Sequence, residues 1–141
     1  MLGPASPAAA LPLYERGCDL RSGAGCNNAG LLLQHGYGTS ADPVRAKALF
    51  ARGCDELEEG GSCVGSGMLL HAGAPGVPRD RVAALARFER ACTLRRSDGC
   101  RNVAIYHRDG TTGPRDVERA RTFFRQSCEL GEARACREVN F

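Results

Sequence analysis

The chain has no Trp, three Tyr and five Phe in 141 residues, so it offers no aromatic platform on which bases could stack. Lysine is nearly absent: Lys47 stands alone against eighteen Arg, and beside so much Ala and Gly this reads as the codon bias of a bacterial source. Neither charge sign dominates, and a net +3 is too small for nucleic acid or an anionic membrane to be the expected partner. No stretch reaches the roughly 18 consecutive apolar residues of a membrane-spanning helix. The N-terminal stretch is uncharged and partly apolar, but Pro4, Pro7 and Pro12 interrupt it, which does not fit a secretory signal. It reads as a mature start, a fragment, or a ragged lead over residues 1–7. With 43% hydrophobic and 25% charged residues the chain is neither disordered nor collagen-like, and its length fits one domain.

What the chain does have is cysteine. Eight Cys fall at 18, 26, 54, 63, 92, 100, 128 and 136, in four pairs that enclose seven residues each, except Cys54 and Cys63, which enclose eight. First members are 36, 38 and 36 apart, second members 37, 37 and 36. Other columns keep the same period. Four residues before each first Cys is an aromatic (Tyr14, Phe50, Phe88, Phe124), eight before it is Ala (Ala10, Ala46, Ala84, Ala120), and just before it is a small residue (Gly17, Gly53, Ala91, Ser127). Ten residues after the second Cys comes Gly36, Gly73 or Gly110. Columns in register over four copies mark a repeat of about 37 residues.

Each repeat reads as two helices. Ala46, Phe50 and Cys54 lie at i, i+4 and i+8 with Leu49 and Leu57 adjoining, and the stripe recurs as Ala84-Phe88-Cys92 and Ala120-Phe124-Cys128. This is helix B, with Asp42-Pro43 and Asp80 as start signals. Helix A begins just before the second Cys and runs about ten residues. Its apolar face is Cys26, Ala29, Gly30 and Leu33, then Cys63, Ser66, Gly67 and Leu70, then Cys100, Val103, Ala104 and His107. Gly36, Gly73 and Gly110 close it, and small residues at Gly30, Gly67 and Ala104 let neighbouring helices approach. The chain opens with a helix B, holds three full A–B hairpins, and ends inside a fourth helix A, so residues 8–141 form the repeat domain.

These columns resemble Sel1-like repeats, relatives of tetratricopeptide repeats, in the cysteine-rich form of the Helicobacter cysteine-rich proteins. Arg90-Ala91-Cys92 through Cys100 and Ala29-Gly30 through Gly36 echo that family's pattern, although Leu33, Leu70 and His107 stand where it often has Tyr. The resemblance implies an all-α fold, a right-handed α/α superhelical solenoid. It also implies a periplasmic or secreted location and binding to other proteins. Some cysteine-rich members are scaffolds or assembly factors in an oxidising organelle such as the mitochondrial intermembrane space, which gives a third expectation.

Beside that resemblance, the cysteines read as four sequential disulfides: Cys18–Cys26, Cys54–Cys63, Cys92–Cys100 and Cys128–Cys136. Each would join the last turn of a helix B to the first turn of the next helix A. Pairing within a hairpin, Cys26 with Cys54 and its equivalents, would strand Cys18 and Cys136. Buried thiols and a metal site are the other readings of these residues, although no two-residue Cys spacing appears and no His accompanies the pairs. His35, His71 and His107 drift across the helix face, as solvent-facing or packing residues do. No cofactor or metal is expected.

The family also carries a penicillin-binding or β-lactamase-like label, which is the alternative function. Such chemistry needs a Ser with a Lys one helical turn on. Ser6, Ser22, Ser40, Ser62, Ser66, Ser97 and Ser127 all lack one, so no catalytic residue is assigned. The main expectation is a protein- or peptide-binding module. In related tetratricopeptide arrays helix A lines the concave surface. One position past the core stripe this gives Asn27, Leu31 and Gln34, then Val64, Met68 and His71, then Arg101, Ile105 and Arg108. The centre of each set is apolar, with Arg at the C-terminal end, which suits an extended peptide with a carboxylate. Arg16, Arg52 and Arg90 read as a solvated face with snorkelling stems.

Overall fold

Two helices joined by a three- or four-residue turn must bring their backbones close together, and that demand is met by small residues. The computed structural model describes residues 7–139, in which eight α-helices account for all regular structure apart from one isolated bridge between Ala74 and Val77. They are α1 (Pro7–Asp19), α2 (Gly23–His35), α3 (Pro43–Asp55), α4 (Gly60–Ala72), α5 (Arg81–Thr93), α6 (Ser97–Asp109), α7 (Val117–Glu129) and α8 (Ala133–Glu138). Odd-numbered helices are the B type and even-numbered ones the A type. Each packs against its neighbours in sequence, and α2, α4 and α6 also pack on one another in order. Most of the lead expected over residues 1–7, and the end of the last helix A at Phe141, lie outside the described residues.

Local signals set the helix ends. Asp42, Asp80 and Asp116 cap α3, α5 and α7, their carboxylates accepting from the N–H of Arg45, Ala83 and Arg119 at 3.1, 3.0 and 2.9 Å. Asp116 extends the column of Asp42 and Asp80, each twelve residues before the first Cys of its pair, to the last helix B. Gly36, Gly73 and Gly110 end α2, α4 and α6 with φ of 73°, 73° and 66°. Helix A is 13 residues long rather than ten, because it starts three residues before its Cys. Leu57 is not part of α3 but of the turn that follows it.

Four disulfides join the B-to-A junctions in the sequential pairing, with Cα atoms only 4.5–4.7 Å apart. At the first three junctions the residues preceding the two cysteines face each other: Gly17 and Gly25, Gly53 and Ser62, Ala91 and Gly99. A Cβ on Gly25 would lie 2.8 Å from the Tyr14 carbonyl and the Cys18 nitrogen. The first three bridges lie largely within the packing, whereas Cys136 is exposed. Closing a loop of eight or nine residues stabilises by about 2.5 kcal/mol on the chain-entropy model. The additional residue between Cys54 and Cys63 is absorbed inside the turn. The hydrogen bond that closes the junction survives, Glu59 N–H donating to the Gly53 carbonyl at 2.9 Å as Ser22 N–H does to Gly17 at 2.8 Å.

Between repeats the core is a column of rings. Phe50, Phe88 and Phe124 are buried, each wedged between its own helix A and the next. Phe50 has glycine on both sides, and a Cβ on Gly30 or Gly65 would lie 2.6 or 2.5 Å from its ring. Phe88 faces Gly67 on one side, and its ring meets Tyr106 of α6 edge-on at 5.7 Å. Tyr14 differs: it is 37% exposed, because among the described residues no helix A precedes α1.

Three stability predictions follow from this packing. Phe88→Ala should cost about 3–5 kcal/mol in urea unfolding of the oxidised protein, as large aromatic truncations in cores do. Gly30→Ala should destabilise by about 1–3 kcal/mol despite the better helix propensity of Ala, because Gly65 on the far side leaves the ring of Phe50 no room to withdraw. Arg21 stands at φ 69° in the first B-to-A turn, where the fourth turn has Gly131 at φ 103°. Arg21→Gly should therefore raise stability by up to about 1 kcal/mol, which a shift in the urea midpoint at unchanged slope would register.

Candidate functional site

Two surfaces differ in chemistry, one on the A helices and one on the B helices. On the A side, Leu31, Met68 and Ile105 occupy the same position of α2, α4 and α6, five residues after the Cys. Leu31 is 38% and Met68 47% exposed, while Ile105 is half-buried against the cluster around Phe124. Two exposed aliphatic side chains and one half-buried, recurring once per repeat on packed A helices, form an apolar row.

The polar flanks of this row are partly committed to holding repeats together. Asn27 lies over Gly61 of α4, where a Cβ would come within 3.1 Å of its amide nitrogen. Val64 packs on the cluster around the Cys54–Cys63 bridge, and Gln34 is half-buried near the end of α2. His71 Nδ1 is 2.6 Å from the Tyr106 hydroxyl. Burial first, then the charges of Arg81 and Arg79, hold the His71 imidazole below its usual pKa, and burial pushes the Tyr106 phenol up. A neutral ring can accept the phenolic proton, so the pair closes a hydrogen bond without charge.

Arg101 and Arg108 converge on one carboxylate of the chain itself. Glu138, on α8, accepts from Arg101 Nη2 at 3.1 Å through one oxygen and from Arg108 Nη1 at 2.9 Å through the other. Arg108 also donates from Nε to Asp109 at 3.0 Å, and its guanidinium lies 5.6 Å from the centre of the Phe124 ring. The two arginines thus share a wall, and the carboxylate they hold comes from the next helix A. Glu138 belongs to a column otherwise made of Asn28, Gly65 and Asn102, so no repeated acidic position announces it.

On the B side, arginines reach back to the preceding repeat. Arg45 pairs with Glu15 at 2.6 Å, Arg52 with Asp19 at 2.8 Å and Arg87 with Asp55 at 2.6 Å, and Arg90 Nε donates to the Cys54 carbonyl at 3.1 Å. Arg52 and Arg90 are therefore half-buried and bonded rather than part of a freely solvated face; Arg16 is exposed.

The histidines stand apart. His35 lies 5.5 Å from Tyr37, and His107 stacks on Phe123 at 5.9 Å with its Nε2 buried and without a hydrogen-bond partner. Among the described residues no three His, Cys, Asp or Glu are grouped to hold a metal ion. The serines that could have been nucleophiles serve packing instead. Ser62 Oγ donates to Glu59 at 2.8 Å and Ser127 Oγ to the Ser97 carbonyl at 2.7 Å, Ser66 is buried, and Lys47 is exposed on α3.

Comparison with known proteins fits this architecture. The Sel1 repeat model matches residues 23–56, 62–95 and 97–132, which are the three A–B hairpins α2–α3, α4–α5 and α6–α7. Over 97 residues, 67% of its length, the chain is 33% identical to cytochrome c oxidase assembly factor 7A of Xenopus laevis. It is 31% identical to cytochrome c oxidase assembly factor 7 of Xenopus tropicalis, and it spans 42% of the length of each. Among solved structures, a Sel1 repeat protein from Oxalobacter formigenes superposes with a TM-score of 0.84 at 25% identity, over 95% of this chain and 54% of that one. Helicobacter pylori cysteine rich protein B gives a TM-score of 0.74 at 23% identity, over 96% of this chain and 99% of that one, a likeness of fold. Three matched hairpins, an all-helical solenoid with the same fold as these neighbours, and four bridged junctions lead to one assignment: the chain belongs to the Sel1 repeat family.

Proposed function

We propose that the chain is a disulfide-stapled module that binds a protein or an extended peptide along a concave face lined by its A helices, in the periplasm or outside the cell. The observation that carries this reading is the aliphatic row of Leu31, Met68 and Ile105, flanked by Asn27, Gln34, Val64, His71, Arg101 and Arg108. Sel1 repeats generally serve as protein-binding scaffolds, and stacked repeats provide the extended surface such binding uses. Packed helices in general lie about 8–10 Å apart, and an extended polyproline-type segment advances about 9 Å in three residues. A peptide with an apolar side chain every third residue would meet one member of the row per repeat. An acidic group on it would have to displace Glu138 from Arg101 and Arg108. The four disulfides support an oxidising compartment, where such bridges persist.

A second reading, a scaffold in the assembly of a larger complex, is favoured by the 33% identity to an oxidase assembly factor. It uses the same surface and differs in the compartment and in the partner. The hydrolase alternative has no Ser–Lys pair to work with and is not proposed.

The test is capture by the oxidised protein in an extract of its own source, compared among variants. Leu31→Asp with Met68→Asp should weaken capture of the recovered partner by at least about tenfold, or about 1.4 kcal/mol. Because both side chains are well exposed, the thermal midpoint should stay within a few degrees of the parent. Arg16→Ala with Lys47→Ala, on the B helices, should change neither. If the B-helix pair abolished capture and the A-helix pair did not, the row would not be the binding surface.

A further inference from the structure

The B helices form three successive interfaces, and the third is built differently from the first two. At α1/α3 the carboxylate just after the first Cys, Asp19, is paired with Arg52. At α3/α5 the equivalent Asp55 is paired with Arg87, and Arg90, the counterpart of Arg52, is bonded to the Cys54 carbonyl. At α5/α7 these positions hold Thr93, Phe123 and Gln126, and among the described residues no ion pair crosses the interface. A cleft of about 500 Å³ opens there, within the size range of small-ligand sites.

Its lining is chemically specific. Glu89 comes from α5 and Glu129 from α7, so the two carboxylates stand on different walls, and neither side chain makes a hydrogen bond or ion pair among the described residues. Arg95, in the turn after α5, is the one basic residue of the lining and offsets one of them, which leaves a net negative cleft. Phe123 contributes an aromatic surface. Two unpaired carboxylates beside an aromatic ring recognise a cationic head on an apolar stem: the head takes the carboxylates, and the stem covers the ring.

We propose that this cleft is a second binding site, which accepts a basic side chain, arginine or lysine, from a protein segment docking on the B-helix face. The third interface has Thr93 in place of the acidic residue that the first two pair with an arginine of the chain itself, and its cleft presents Glu89 and Glu129, from other positions, to a cation from outside. The site lies on the other set of helices from the apolar row and does not depend on that row being a binding surface.

The probe is N-acetylarginine amide, with N-acetylcitrulline amide as its uncharged isostere, followed by amide chemical shifts of the oxidised, isotope-labelled protein. The arginine compound should give saturable shifts centred on Glu89, Phe123 and Glu129, with a Kd below about 10 mM. Citrulline should bind at least about tenfold more weakly, and added salt should weaken the arginine compound. Glu89→Gln with Glu129→Gln, which keeps shape and removes charge, should lower affinity by at least about tenfold. Thr93→Asp with Gln126→Arg should close the cleft by restoring the ion pair seen between Asp19 and Arg52, and should abolish the shifts while leaving the helical spectrum intact. Equal binding of citrulline, shifts centred on the A helices, full binding by the double Gln variant, or no saturable shifts at all would each overturn the proposal.

Discussion

Three phenyl rings, one per repeat, occupy the space between each helix A and the next, and each presses on a helix that carries almost no side chain at the contact. Phe50 sits between Gly30 and Gly65, Phe88 against Gly67, and Phe124 against Ala104. The separation of the A helices follows from the thickness of a ring pressed on backbone. The row of Leu31, Met68 and Ile105 and the bridge from Arg101 and Arg108 to Glu138 both depend on that separation. Glycine there trades helix propensity for closeness, a cost of about 1 kcal/mol per position that burial of the ring offsets.

The junctions solve the same problem at the other end of each hairpin. Small residues bring the backbones together, and the disulfide then holds them at 4.5–4.7 Å. What varies between repeats is the electrostatic contact on the B face: ion pairs cross α1/α3 and α3/α5, and among the described residues none crosses α5/α7. The core is thus periodic while the surface is individual, as a scaffold with differentiated sites requires.

That division also explains what could be read from sequence. Helix order, the ends marked by Asp42, Asp80 and the three glycines, and the buried rings all belong to columns, and a column repeated in register is visible without coordinates. Glu138 was invisible because its column is not acidic elsewhere, and the bond from Arg90 to the Cys54 carbonyl because a main-chain acceptor leaves no trace in residue type. Tyr14 looks like Phe50 in sequence, yet burial needs a helix A on both sides and among the described residues it has one. Leu57 continued the apolar stripe on paper, but each B helix ends one residue after its Cys, which leaves Leu57 in the turn. The cleft lay in the substitutions of Thr93 and Gln126, departures from a pattern whose meaning depended on knowing what the pattern joined.

The placement of the bridges gives the two kinds of connection different fates under proteolysis. Each B-to-A turn is spanned by its own disulfide, and exposed residues such as Leu20 and Arg21 lie within the bridged loop. A cut there leaves one covalent molecule, its two ends held by sulfur. The A-to-B loops around Gly38, Gly76 and Gly113 have no such bridge. A single cut in one of them leaves only packing between the pieces, so the array would part between the A and B helices of one repeat, each fragment keeping its B-to-A junctions intact.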